Sequence, residues 1–182
     1  LDGRDTPPES AADYMQQMVD KMAEIGVGEV ASLSGRYYAM DRDTNWDRTE
    51  KAYIALTKGE GVKATDPVQA IKDSYDDGVT DEFMLPTVIE KDGKPFATIQ
   101  DNDSVVFCNF RPDRARQITR AFCADDFDGF KREKKLDLVY VCFTEYDVTI
   151  PNTDIAFKKE LKTELLIAAK CFVPNVAAMN MK

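Results

Sequence analysis

Histidine is missing from all 182 residues of the chain. That absence removes the commonest transition-metal ligand and the commonest general base, and with them every Ser-His or Cys-His catalytic device. Long apolar runs are missing too. No stretch approaches the roughly 18 residues of a membrane span and no charged-then-apolar leader occurs, so the sequence predicts neither a transmembrane segment nor a secretory signal. Cysteine is sparse: Cys108, Cys123, Cys142 and Cys171 are widely spaced, mostly among apolar neighbours, with no Cys-x-x-Cys pair. They read as reduced, buried thiols of a cytoplasmic protein. Basic charge is in deficit, with 24 Lys and Arg against 33 Asp and Glu for a net charge of −9. A surface of that sign argues against a general nucleic-acid or anionic-membrane partner.

With 43% apolar and 31% charged residues, the chain can bury a core, and at this size roughly 70% of the unfolded surface leaves water. The length suits one α/β domain with a small satellite. The start at Leu1, on an Asp-Gly-Arg-Asp turn, predicts a cut through a larger protein. Thr6-Pro-Pro-Glu9 has capping-box spacing, and apolar residues recur at Ala11, Met15, Met18, Met22 and Ile25 until Gly26, which predicts a helix. A short strand is expected over 29–33, a helix over 45–58 closed by Gly59, and another opened by Asp66-Pro67 and ended by Gly78. Thr87–Glu90 and Pro95–Ile99 flank Asp92-Gly93, a hairpin signal. There follow a strand over 104–110, a helix over 113–123 begun by Pro112, and a strand over 136–143 apolar enough for the middle of a sheet. The expected fold class is α/β: a layered α/β/α sandwich with a mostly parallel sheet and an appended β-hairpin.

The nine arginines are grouped. Three stretches concentrate them: Asp2-Gly-Arg-Asp5, Ser34-Gly-Arg-Tyr-Tyr-Ala-Met-Asp-Arg-Asp43 and Asn109-Phe-Arg-Pro-Asp-Arg-Ala-Arg116. Each is expected to leave the C-terminal end of a strand, where open α/β sheets place ligands. Arg111 and Arg114 fall in the first turn of the helix expected after Pro112, where cations oppose the helix dipole by about 0.3 kcal/mol or more each. An anion docked on that helix start would reverse the sign, meeting free N–H groups and two guanidinium forks together. The same arginines, flanked by Asp2, Asp5, Asp41, Asp43 and Asp113, read equally well as internal ion pairs that pin loops. The paired aromatics Tyr37-Tyr38 and Phe127/Phe130 read as core rather than base-stacking platforms.

The three stretches, in this order, resemble those of the cofactor-independent (2,3-bisphosphoglycerate-independent) phosphoglycerate mutases. Leu1-Asp-Gly-Arg-Asp5 resembles that family's GRD segment, Ser34 to Arg48 its SGRYYAMDRD segment, and Phe107-Cys-Asn-Phe-Arg-Pro-Asp-Arg114 its F-NFR-D-R segment; Thr144-Glu-Tyr146 resembles a strand end of the family. The similarity covers residues 1–157. It implies that these residues are an inserted substrate-binding, phosphotransferase domain, with 158–182 a C-terminal helical tail or hinge that departs from the family pattern.

By motif position, the resemblance implies that Arg4, Asp5, Arg36, Arg42, Arg111 and Arg114 bind substrate, 2- and 3-phosphoglycerate; because a carboxylate can accept from the free glycerate hydroxyl, Asp5 is further expected to be catalytic, orienting that hydroxyl and shuttling its proton. It implies no metal ligand or cofactor in this chain. Two Mn2+ or similar ions and a serine nucleophile belong to a phosphatase-like partner domain of the same enzyme, without which the fragment is inactive. The competing expectations are a stand-alone module that binds phosphorylated acids and a structural fragment whose arginines are used in internal pairs.

Overall fold

The computed structural model describes residues 1–158. Helix α1 (Ala11–Ile25) ends where Gly26 turns left-handed, at φ 75°. Its start is not the Thr6 capping box: the Thr6 hydroxyl accepts from the Gly3 N–H. The cap comes instead from Asp81, whose Oδ2 accepts from the Ser10 and Ala11 N–H groups at 3.0 and 2.9 Å. Strand β1 (Ser32–Leu33) leads into the short helix α2 (Arg36–Ala39), and α3 (Trp46–Lys58) stops at the left-handed Gly59. After β2 (Val62–Ala64), helix α4 (Pro67–Asp76) has proline at its first position and the Asp66 side chain on the Gln69 N–H. A single 3-10 turn, Asp81–Phe83, precedes β3 (Thr87–Lys91).

The strands form two sheets rather than one mostly parallel sheet. In the first, β3 pairs antiparallel with β1, parallel with β2, and antiparallel with the two-residue β4 (Lys94–Pro95) across Asp92-Gly93. The expected arm to Ile99 is cut short after the Phe96 N–H bonds the Ile89 carbonyl, because the Ile89 N–H turns to the Ala31 carbonyl and β1 takes that edge of β3. In the second, β5 (Ser104–Phe107), β6 (Val139–Cys142) and β7 (Asp154–Ile155) run parallel with β6 in the middle. Both β2–α4–β3 and β5–α5–β6 are parallel pairs joined by a helical crossover. Hydrophobic period identifies strands but not partners, and here two separate apolar cores sort them. Ala11, Met15, Leu33, Val68, Ile71, Met84 and Ile89 unite α1, α4 and the first sheet. Tyr53, Ile118, Phe122, Tyr140, Cys142 and Tyr146 unite α3, helix α5 (Arg116–Cys123) and the second. Phe127 and Phe130 pack against this second core.

Two expectations change here. Helix α5 begins at Arg116, not Asp113, so Arg111 and Arg114 lie in a turn ahead of it, closed by the Ala115 N–H on the Pro112 carbonyl. Within that turn Asp113 has both carboxylate oxygens engaged by arginines. Of the cysteines, Cys123 and Cys142 are buried but Cys108 is exposed. Cys171 and the expected tail beyond Lys158 lie outside the described residues. Among the described residues no helix is long and apolar enough to cross a membrane.

Candidate functional site

The two Gly-Arg pairs stand against one turn. A Cβ on Gly35 would lie 2.3 Å from the Glu82 carbonyl oxygen, and one on Gly3, whose φ is 65°, 2.7 Å from the Glu82 nitrogen. Only glycine permits both backbones to approach the Asp81–Phe83 turn so closely. The Arg36 N–H then reaches the Leu1 carbonyl at 2.9 Å, which ties the two segments together. Arg36 is buried, at 8% exposure. Its guanidinium donates through Nη1 to Asp2 at 2.5 Å and to Asp5 at 3.2 Å, while its buried Nε–H meets no acceptor among the described residues. Arg4 is exposed and sits 3.7 Å from Glu82.

The second half of the site comes from residues 40–45 and 109–115. Buried Asp41 gathers the first of these loops, accepting from the Asp43 and Asn45 N–H groups, from Asn45 Nδ2 and from Gln117 Nε2. Gln117 Oε1 in turn accepts from the Thr44 N–H at 2.8 Å. These bonds fasten the Arg42 loop to helix α5. The other loop is held from below, where the Tyr146 hydroxyl lies 2.8 and 2.6 Å from the carbonyls of Phe107 and Asn109. Arg114 Nη1 donates to the Met40 carbonyl at 2.9 Å, and its buried Nε–H also meets no acceptor among the described residues. Asp113 takes Arg42 Nη1 on one oxygen and Arg111 Nε on the other, each at 2.8 Å. A groove of about 480 Å³ runs from Arg42 and Asp113 along Arg116, Gln117 and Arg120.

Electrostatics ties the halves together. Burial pulls the Arg114 guanidinium below its ordinary value, and the neighbouring charges of Arg36 and Arg42 lower it further. Burial also opposes the charge on Arg36, but its bonds to Asp2 and Asp5 outweigh that and raise it. Burial would raise Asp113, yet the Arg42 and Arg111 hydrogen bonds hold it below the usual carboxylate range. The structure thus brings Arg36 and Arg42 within electrostatic reach of Arg114. It joins Asp5 to Arg36 and Arg111 to Arg42 through Asp113, and leaves Arg4 facing Glu82 at the margin. The arrangement can hold a multiply charged anion on planar donors.

Gln117 and Asp81 carry the scaffold and escape the sequence reading, and Tyr146 enters it only within a strand-end motif, because their partners lie tens of residues away and no local spacing marks them. Burial pushes the Cys123 and Cys142 thiols up, to about 12 and about 11, so neither is a nucleophile near neutral pH. No group of three or more His, Cys, Asp or Glu that could hold a metal exists among the described residues.

Comparison with known proteins agrees with this geometry. A family model described as BPG-independent PGAM N-terminus matches residues 1–148. The chain is similar to the 2,3-bisphosphoglycerate-independent phosphoglycerate mutases of Lachnoclostridium phytofermentans, 63% identical over 160 residues, and of Clostridium novyi, 62% identical over 160 residues. It covers 31% of each of those relatives, which match 87% and 88% of this chain. The chain thus spans about a third of the length of the curated relatives it matches. A solved structure of Leishmania mexicana phosphoglycerate mutase at low cobalt concentration superposes with a TM-score of 0.79 at 32% identity, covering 88% of this chain and 31% of that one. The arginine-rich stretches are therefore found in a chain that belongs to the BPG-independent PGAM N-terminus family.

Proposed function

We propose that this chain is the substrate-binding, phosphotransferase part of a phosphoglycerate mutase that interconverts 3-phosphoglycerate and 2-phosphoglycerate in glycolysis without 2,3-bisphosphoglycerate. The observation that carries the reading is a pair of buried Nε–H groups, those of Arg36 and Arg114, that no described acceptor meets. A buried donor left unmade costs about 1–3 kcal/mol, a cost that arginines serving only as internal ion pairs would not carry. Phosphoglycerate carries a carboxylate and a phosphate, and both match planar guanidinium forks better than lysine.

On this reading Arg4, Arg36, Arg42, Arg111 and Arg114 hold the two anionic groups and steady the charge of the phosphoryl group in transfer. Asp5, exposed beside Arg36, accepts a hydrogen bond from the free glycerate hydroxyl and takes its proton as the phosphate moves. Residues 1–157 are the domain inserted in a phosphatase-like partner, part of one cytoplasmic enzyme, and the two sheets with their helices are layers of an α/β/α sandwich. That partner supplies the serine that carries the phosphate. Two Mn2+ or similar ions there would activate the serine and neutralise phosphate charge. The described residues of this chain do not fit such ions, and no step here runs through them. Closure of the two parts would exclude water that otherwise hydrolyses the phosphoenzyme.

Calorimetric titration of the chain with 3-phosphoglycerate, repeated with Arg111→Ala and Arg114→Ala, tests the reading. Saturable binding that weakens tenfold or more in both variants is expected. No binding by the folded chain, or equal binding by folded variants, would overturn it.

A further inference from the structure

Each of the four clustered arginines is anchored by one nitrogen and leaves the others without a hydrogen bond among the described residues. Arg36, Arg42 and Arg114 are held through Nη1, and Arg111 through Nε. Arg36 is fixed by carboxylates of its own neighbourhood and Arg114 by a backbone carbonyl. Arg42 and Arg111 differ. They come from loops about 70 residues apart in sequence, and one group, the Asp113 carboxylate, holds both, 2.8 Å on each side.

Two long side chains on mobile rotors gain affinity for an anion only when their order is established beforehand. A carboxylate can supply that order in two ways: by occupying the nitrogens a ligand needs, or by gripping others and leaving the ligand's edge open. Here Asp113 takes the Arg111 Nε and leaves both terminal nitrogens of that fork, on a side chain 68% exposed, facing outward. Its grip on Arg42 uses one terminal nitrogen of two. The open edges suffice for a ligand, so nothing requires Asp113 to leave.

We infer that Asp113 is a positioning residue of the anion pocket: its carboxylate sets the spacing of Arg42 and Arg111 and holds their outward edges ready for the substrate's anionic group. The inference deepens the phosphoglycerate reading and rests on it for the identity of the ligand. Asp113 itself does not touch the substrate.

The test uses the 182-residue chain as wild type, Asp113→Asn, Arg42→Ala/Arg111→Ala, and that pair combined with Asp113→Asn. Asp125→Asn, which removes the same charge from an exposed ion pair with Lys135, is the control. Side-chain NMR of the arginines comes first. Asp113→Asn should lose the protected Arg111 Nε–H signal while the signals of Arg36 and Arg114 stay. Titration with 3-phosphoglycerate should then show affinity about tenfold weaker in Asp113→Asn, consistent with losing hydrogen bonds to charged groups. Asp125→Asn should bind no more weakly than wild type. In the Arg42→Ala/Arg111→Ala background, Asp113→Asn should have no further effect, since it acts only through those two side chains.

Unchanged or tighter binding by Asp113→Asn would overturn the inference, the latter by showing the carboxylate to be a competitor. If the wild type binds no 3-phosphoglycerate, the substrate reading fails alone. The arginine signals still decide the anchoring, and an Arg111 Nε–H that stays protected in Asp113→Asn overturns it.

Discussion

Gly35 has an ordinary backbone, φ −65°, so its need for glycine is steric rather than conformational. The obstacle is a carbonyl oxygen of the 3-10 turn, a backbone atom that cannot swing aside. Gly35→Ala should therefore destabilise the fold by about 1–3 kcal/mol, the range for inserting a methyl group into a closely packed contact. Urea unfolding would read it, and an unchanged midpoint would mean that the turn yields freely. The Gly-Arg pairs stand out in the sequence, but what each glycine approaches does not, because Glu82 is 47 residues beyond Gly35. The arginine-aspartate alternation is similar. Sequence spacing leaves ligand pocket and internal ion pair as alternatives, and the structure shows pairs that use part of each guanidinium while two buried Nε–H groups stay unmatched.

Helices show the same division at the next scale. Helix α4 starts where Asp66-Pro67 predicts, because the cap is local and the Asp66 carboxylate reaches the Gln69 N–H at 2.7 Å. Helix α1 ends where Gly26 predicts, yet its start is governed by Asp81, 70 residues from Ala11, which also accepts the Tyr75 hydroxyl. Asp81→Ala would leave the Ser10 N–H and the Tyr75 O–H unmatched around a nearly fully buried position, and the Ala11 N–H with the Tyr75 oxygen alone. We expect a loss of about 2–3 kcal/mol, from the missing cap and the unsatisfied donors together. Amide exchange at Ser10 and Ala11 should accelerate with it, whereas unaltered exchange there would assign the cap elsewhere. Helix α5 is the converse case: it starts three residues later than Pro112 predicts, and Asp113, expected within its first turn, is engaged by arginines.

For the whole molecule, net charge −9 conceals carboxylates bound in the fold. Burial works against ionisation of Asp2, Asp41, Asp113 and Asp147, but hydrogen bonds to each outweigh it and all four lie below their ordinary value. Asp147, bonded by the Thr149 hydroxyl and N–H and by Arg120, is pushed down to about 2. A carboxyl lower in the folded than in the unfolded chain stabilises the fold above its unfolded value, and that contribution is lost as pH falls through the folded one. Stability should thus fall between about pH 4 and pH 2. Asp147→Asn should remove up to about 2 kcal/mol at neutral pH and flatten that fall. Unfolding curves at pH 7, 4 and 2.5 would show it, and parallel wild-type and variant profiles would exclude Asp147 as a source.

Features that depend on neighbours in the chain were determined by the sequence itself: helix periods, the glycine stops, the Asp66 cap, the central character of β6, and the family to which the motifs point. Those depend on propensity and on side chains within one or two turns, and such interactions keep their meaning wherever the segment is placed. Only the tertiary structure decided the rest. It divided the strands between two sheets, set the glycines of two Gly-Arg pairs on one turn, and capped α1 from Asp81. It also hung Arg42 and Arg111 on a single carboxylate. Each of these is a contact between residues tens of positions apart, selected by which apolar faces find a common core, and no local spacing encodes that choice.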